Sequence, residues 1–129
     1  MTLWPIALSP LMSGGHLPGN DAFTLSLLTN DEVLAVNQRA SSSRQLFARG
    51  NQVAWVAAMA GSKENCLGLF HTGDPSDEVA VKWAELGLPE NCRLRDIWTK
   101  QDPGSALGGR GFRLAPHASM FLEVSPAAR

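Results

Sequence analysis

A chain of 129 residues with 44% hydrophobic and 18% charged residues has the length and composition of one globular domain with its own core. Its formal net charge of −1, with arginines such as Arg44, Arg93 and Arg110 scattered singly, removes any electrostatic case for nucleic acid or an anionic membrane as partner. No stretch approaches the roughly 20 apolar residues of a membrane span. Met1–Met12 lacks a basic leader region and an Ala-x-Ala cleavage site and is broken by Pro5 and Pro10, so no signal peptide is read there.

Thr2 to Leu11 is apolar, and Trp4, Ile6 and Leu8 alternate as a strand would place them, so a strand following the end of a helix is expected. Ser13-Gly14-Gly15-His16 then forms a glycine-rich loop. Asn20 or Asp21 caps a helix whose apolar face is Phe23, Leu27 and Leu28. Thr29-Asn30 interrupts it, and Asn30-Asp31-Glu32 caps a second helix carrying Val33, Leu34 and Val36 to Gln38. This order is that of the last strand, loop and helix of a parallel α/β array whose earlier strands are missing. A strand without parallel neighbours presents an open edge. Residues 1–38 are therefore expected to pack poorly, or to dock on another copy or on the rest of the chain.

Arg39–Ser43 reads as a small linker, dividing the chain into 1–40 and 41–129. From Arg44 the period becomes two. Gly50-Asn51 predicts a hairpin, and its second strand is apolar on both faces, with Val53, Trp55, Ala57 and Met59 on one and Ala54, Val56 and Ala58 on the other. That strand should be central. Cys66–His71, a strand with Val79, Val81 and Trp83 inward, and Cys92–Trp98 follow. Thr99–Gly111, with four glycines, is expected to be the most mobile loop. Phe112 and Leu114 are expected to pair across Pro116–Ser119 with Met120, Leu122 and Val124, and Ser125–Arg129 to fray. The predicted fold is mainly β: an antiparallel two-sheet β-sandwich of Greek-key type, preceded by a strand–loop–helix.

Few residues suggest chemistry. Cys66 and Cys92 permit one disulfide or two buried thiols, with free thiols the expectation. His16, His71 and His117 lack metal-ligand spacing, and His117 suits a hydrogen-bonded turn. Gly14-Gly15 and Gly108-Gly109 lack nucleotide-loop spacing, and Ser41-Ser42-Ser43 lacks the context of a nucleophile elbow, so no metal or organic cofactor is expected. Asp31-Glu32 reads as helix capping, Asp74, Asp77 and Glu78 as turn acids, and Asp96 as an ion pair or turn hydrogen bond. Trp55 and Trp83 lie in phase with valines, which favours core packing over a sugar-stacking platform.

The segment from Ser9-Pro10-Leu11-Met12-Ser13-Gly14-Gly15-His16-Leu17 to Leu34-Ala35-Val36-Asn37-Gln38 resembles the end of the catalytic barrel in melibiase-type α-galactosidases and α-N-acetylgalactosaminidases. Leu94-Arg95-Asp96-Ile97-Trp98 and Leu114-Ala115-Pro116-His117 resemble the same family's carboxyl-terminal β-sandwich. The resemblance implies a parent enzyme, often exported, that hydrolyses terminal α-galactosyl linkages with retention and without a cofactor. Its two catalytic aspartates belong to earlier barrel strands, so no catalytic residue is assigned here. Active-site loops of barrels follow the carboxyl ends of strands. Ser13, Gly14, Gly15 and His16 are therefore the candidate substrate loop, with His16 standing where the family commonly has an acid. The implied partners are the catalytic barrel, or a second copy through the apolar N-terminal segment, and galactosides. The alternative is a stand-alone sandwich module that binds carbohydrate or protein.

Overall fold

The computed structural model describes residues 1–128. A single helical turn, α1 (Leu3–Ile6), is followed by α2 (Ala22–Leu28) and α3 (Asp31–Arg39). Both caps expected from the sequence form. The Asp21 carboxylate accepts from Thr24 N at 2.7 Å, and Asn30 Oδ1 accepts from Glu32 N and Val33 N at 3.1 and 3.2 Å. The strand expected through Leu8 does not form: α1 covers its first part, and Ser9–Gly14 carries no regular structure. Among the described residues, no amide from Ser9 to Leu17 donates to a backbone carbonyl. Alternating side chains do not make a strand where the ladder partners are missing.

Eight strands follow: β1 (Ala40–Arg49), β2 (Gln52–Met59), β3 (Asn65–His71), β4 (Asp77–Lys82), β5 (Asn91–Asp96), β6 (Gln101–Leu107), β7 (Gly109–Leu114) and β8 (Ser119–Pro126). They make a six-stranded sheet, in the order β1-β2-β3-β8-β5-β6, and a two-stranded sheet of β4 and β7. Every pairing is antiparallel. The antiparallel two-sheet sandwich is therefore present, with β2 inside its sheet as its two apolar faces require.

Four local expectations are corrected. The supposed linker is the start of β1, with Ala40 opposite Met59 and Ser41 opposite Ala58; serines on an exposed edge strand leave no hydrophobic pattern to read. The supposed mobile loop is β6, a tight turn and β7. Six of the seven β6 residues are exposed, so the strand rests on backbone pairing to β5. Its glycines serve close approach as well as turning: a Cβ on Gly109 would lie 2.4 Å from the Val81 carbonyl oxygen of β4. β7 pairs with β4, placing Phe112 opposite Val79, whereas β8 runs between β3 and β5, so Pro116-His117 is a crossing between sheets and not a hairpin. Ser125 and Pro126 belong to β8, and Ala127 N donates to Asn91 O at 3.0 Å, which ties down most of the supposed tail; Arg129 lies outside the described residues.

The central strands of the large sheet, β2, β3 and β8, are buried on both faces. Inward, Val56, Leu67, Leu69, Leu94 and Leu122 meet Val79, Val81, Phe112 and Leu114 of the small sheet. Trp83 is fully buried among them, its indole N–H donating to Ala106 O at 2.9 Å. Outward, Ala57, Cys66 and Phe121 meet Ile6, Val33, Val36 and Ile97, so α1 and α3 form a third layer. Gly68, between Trp55 and Phe121 in register, makes room for this layer, since a Cβ there would sit 3.3 Å from Ile6 Cδ1. Residues 1–38 thus dock on the sandwich, one of the outcomes anticipated from the sequence.

Both cysteines are free thiols, Cys66 in the outer cluster and Cys92 in the inner one, on opposite faces of the sheet. Burial, reinforced by the Glu123 and Glu64 carboxylates, pushes the Cys66 thiol up to about 12. Cys66 should consequently resist alkylation in native protein at pH 8 and react fully in urea, measured by mass spectrometry. Phe121→Ala should cost about 3–5 kcal/mol in urea unfolding. Because Phe121 lies beneath the helical layer, hydrogen exchange should show α1 and α3 losing protection before the inner strands.

Candidate functional site

The loop Ser13–His16 is exposed throughout, and a Cβ on Gly14 or Gly15 would meet nothing within 4 Å. Its root is fixed. Asn37 Nδ2 of α3 donates to Ser9 O at 2.8 Å, and the Trp4 indole N–H donates to Pro10 O at 2.8 Å. Ser13 also borders a hollow of about 480 Å3 walled by Leu17, Leu25, Leu28 and Leu34. The four loop residues are brought together with no carboxylate, and His16 lies near Gly19, the far end of its own turn. The loop offers backbone amides, a hydroxyl and an imidazole, a set that can hold a polar ligand but cannot cleave a glycoside alone.

The acids are mostly committed elsewhere. Glu32 accepts from Arg95 twice, at 2.6 and 2.9 Å, and Asp102 bridges Arg93 at 2.8 Å and Arg95 at 3.3 Å. Those two guanidinium groups, Arg93 first, hold the Asp102 carboxyl below its ordinary value. Asp31 pairs with Lys100, and Asp77 accepts from Gln52 at 2.7 Å, the hydrogen bond that chiefly lowers its pKa. Asp96 Oδ1 accepts from Trp98 N and Thr99 N at 3.0 Å, so of the two readings, ion pair or turn hydrogen bond, it is the second that forms. Asp96 and Asp102 both line a hollow of about 260 Å3, but the first is engaged by its turn amides and the second by two arginines. Retention requires a nucleophile and an acid/base about 5–5.5 Å apart across a sugar. Among the described residues no uncommitted pair faces such a space, nor does any group of three His, Cys, Asp or Glu suit a metal ion.

Glu123 differs from Asp31, Asp77 and Asp102 in that its pKa is raised. It lies on the outer face of β8 beside Cys66 and Arg95, and burial, then Glu64 and Glu32, raise its pKa. His117 Nε2 meets Asp74 at 3.1 Å in a turn, as expected. His71 is buried, with Nε2 against Pro75 O at 2.6 Å and Nδ1 without a partner. Trp55 and Trp98 are half-buried and Trp83 is core, so the tryptophans form no exposed row.

Sequence reasoning missed the seam between the helical layer and the sandwich. Thr2 Oγ1 receives the Trp98 indole N–H at 2.9 Å and lies 3.0 Å from Ser119 Oγ. Asn30 Nδ2, beyond its capping role, donates to Ile97 O at 3.2 Å. Beside these contacts opens a cleft of about 690 Å3 between α2 and the Trp98–Lys100 turn. Phe23, expected on the buried face of its helix, is 71% exposed at this cleft. Only the off-phase exposure of an aromatic residue could have hinted at it, and periodicity assigned Phe23 to the core.

A family model of the alpha galactosidase C-terminal beta sandwich domain matches residues 49–124. The chain belongs to this family. An alpha-galactosidase of Coffea arabica is 28% identical across 97% of the chain and 34% of the relative's length. Alpha-galactosidase 2 of Arabidopsis thaliana is 31% identical across 96% of the chain and 32% of the relative. The chain therefore spans about a third of the length of the curated relatives it matches. A GH27 β-L-arabinopyranosidase from Geobacillus stearothermophilus superposes with a TM-score of 0.93 at 39% identity, covering 98% of this chain and 29% of that one. A putative alpha-N-acetylgalactosaminidase from Bacillus halodurans gives 0.92 at 34% identity, with 98% and 30% covered. These matches extend ahead of residue 49, so the helical layer is shared along with the C-terminal β-sandwich.

Within this sandwich domain, the raised pKa of Glu123 has a defined sign. The folded state binds more protons than the unfolded one between the ordinary glutamate value, about 4.3, and the raised value, so stability falls as pH rises through that window. Glu123→Gln should raise Tm at neutral pH, and the advantage should vanish below about pH 4, where the unfolded glutamate is also neutral.

Proposed function

We propose that this chain is the end of an α-galactosidase-like retaining glycoside hydrolase and is non-catalytic alone. Residues 1–40 are the last unit of the catalytic barrel and residues 41–129 the sandwich that buttresses it. The observation that carries this reading is where apolar surface remains uncovered. Among the described residues, the exposed large hydrophobic side chains lie in residues 1–25, with Leu3, Trp4, Met12, Leu17 and Leu25 among them, and Leu107 is the one outside that stretch. Such a concentration of apolar surface marks an interface. Its position on α1, the unpaired segment and α2 suits the neighbouring strands and helices of a barrel. The amides of Leu11–Gly14, which donate to no backbone carbonyl among the described residues, support the same partner, because a parallel strand laid beside them would satisfy them.

In the assembled enzyme Ser13, Gly14, Gly15 and His16 line the rim of the sugar pocket, at the carboxyl end of the restored strand. The substrate is a terminal α-galactoside or a sugar of the same axial 4-hydroxyl configuration, and both aspartates come from the barrel. Purified chain should show no turnover of an aryl α-galactoside or an aryl β-L-arabinopyranoside above the blank. Adding the separately produced barrel portion of a similar enzyme should yield a complex by size exclusion and hydrolysis that requires both parts. Turnover by the chain alone, lost on changing one of its own acids, would overturn the reading. A stable monomer that ignores the barrel would do so as well.

A further inference from the structure

We propose that Asn37 is a positioning residue for the loop Ser13–His16, acting together with Trp4 on the two carbonyls from which the loop departs. The proposal rests on the reading that this loop lines the sugar pocket of the assembled enzyme. Asn37 Nδ2 donates to Ser9 O and the Trp4 indole N–H donates to Pro10 O, each at 2.8 Å. These carbonyls belong to successive peptide units, related to one another only by φ and ψ of Pro10. The pyrrolidine ring holds that φ at about −65°. With both oxygens held, ψ is set as well, and so is the heading of the chain at Leu11. One hydrogen bond would fix a place, whereas two across a proline fix a direction.

The two donors stand on different elements, and each element is anchored in the outer cluster. Val36, the neighbour of Asn37, is buried there with Val33, and Asn30 at the start of α3 donates to Ile97 O. Ile6 of α1 is fully buried in the same cluster. The frame is therefore stiff where the loop is exposed. Asn37 also breaks a local rule, because asparagine is a poor residue inside a helix and alanine or leucine would serve α3 better. What its amide holds, a carbonyl 28 positions earlier in the chain, accounts for it. Both bonds are exposed in the chain alone, so water competes with them. A barrel portion docked beside Leu11–Gly14 displaces that water and strengthens both. It has no need of either carbonyl, since both are already satisfied. A shift of about 1 Å in a rim group is enough to weaken its hold on a substrate. Because a rim contact serves substrate and transition state alike, the loss falls on KM.

The test uses Asn37→Ala, Asn37→Asp and Trp4→Phe in the whole chain, alone and combined with the barrel portion of a similar enzyme. Each removes one donor. Asn37→Asp keeps the shape of the side chain and sets an oxygen against Ser9 O, and Trp4→Phe keeps an apolar ring on α1. In the combined enzyme each variant should form the complex as the unaltered chain does. KM for an aryl α-galactoside should rise about tenfold while kcat stays within about twofold. A merely structural role would instead lower Tm or weaken the complex. Asn37→Ala should leave Tm within about 3 °C, because alanine suits the helix. In the chain alone, NMR should show the Leu11 amide shifted and the order parameters of Leu11–Ser13 lowered in Asn37→Ala, with the amides of β2 and β3 unmoved. Unchanged KM in a complex that forms and turns over would overturn the proposal and leave the reading of the chain as the end of the enzyme standing. Unchanged Leu11–Ser13 amides would overturn it whether or not the barrel portion docks. Failure of that underlying reading shows in the unaltered chain, as no complex or no turnover, so the two failures are distinguishable.

Discussion

The structure depends on a sheet that is apolar on both sides. Its central strands β2, β3 and β8 alternate between two sets of buried residues, Val56, Leu67 and Leu122 facing the small sheet and Ala57, Cys66 and Phe121 facing away from it. An antiparallel sheet commonly leaves one face to water. This one cannot, because an exposed Phe121 and its neighbours would form a contiguous apolar patch. Two strands cover the inner face, and α1 with α3 cover the outer. α1 and α3 are thus structural components of the sandwich.

The relative size of the forces decides what holds that layer. Fully burying a side chain such as Ile6, Val33 or Val36 contributes about 1.5–3 kcal/mol each, whereas exposed ion pairs contribute about 0–1 kcal/mol. The exposed Lys100–Asp31 contact therefore does little to hold α3 down, and the half-buried Arg95–Glu32 pair sets where it lies. Arg95 is suited to this, since its two-point contact with Glu32 fixes direction as well as distance and its third nitrogen reaches Asp102 on β6. Apolar burial supplies the adhesion and the guanidinium supplies the register.

What could be read from the sequence divides along the same physical line. Local signals were legible: the Asp21 and Asn30 caps, the Gly50-Asn51 hairpin, the two apolar faces of β2 and the turn hydrogen bonds of Asp96 each need only a few adjacent residues. Strands at the sheet edges were not. β1 and β6 are held by backbone pairing while their side chains face water, so Ser41-Ser42-Ser43 resembles a linker and Pro103-Gly104 a mobile loop. Glycines that admit a neighbour, Gly68 beneath Ile6 and Gly109 against Val81, have no meaning until the neighbour is placed. The seam cleft was the least legible, because its key hydrogen bond joins Trp98 to Thr2 across 96 positions.

The candidate loop combines a fixed root with a free tip, and this follows from the layering. Asn37 donates to Ser9 O and Trp4 to Pro10 O, so the irregular segment is held at two carbonyls by α3 and α1, and Ser43 Oγ of β1 donates to Ile6 O at the end of α1 itself. Among the described residues nothing comparable restrains the chain beyond Pro10 until Gly19 N meets His16 O. α1 and α3 therefore fix where the segment begins, while Ser13–His16 stands exposed beyond it. A loop positioned from below and completed from the side is what an enzyme needs if one domain orients a substrate rim and another supplies the reacting acids.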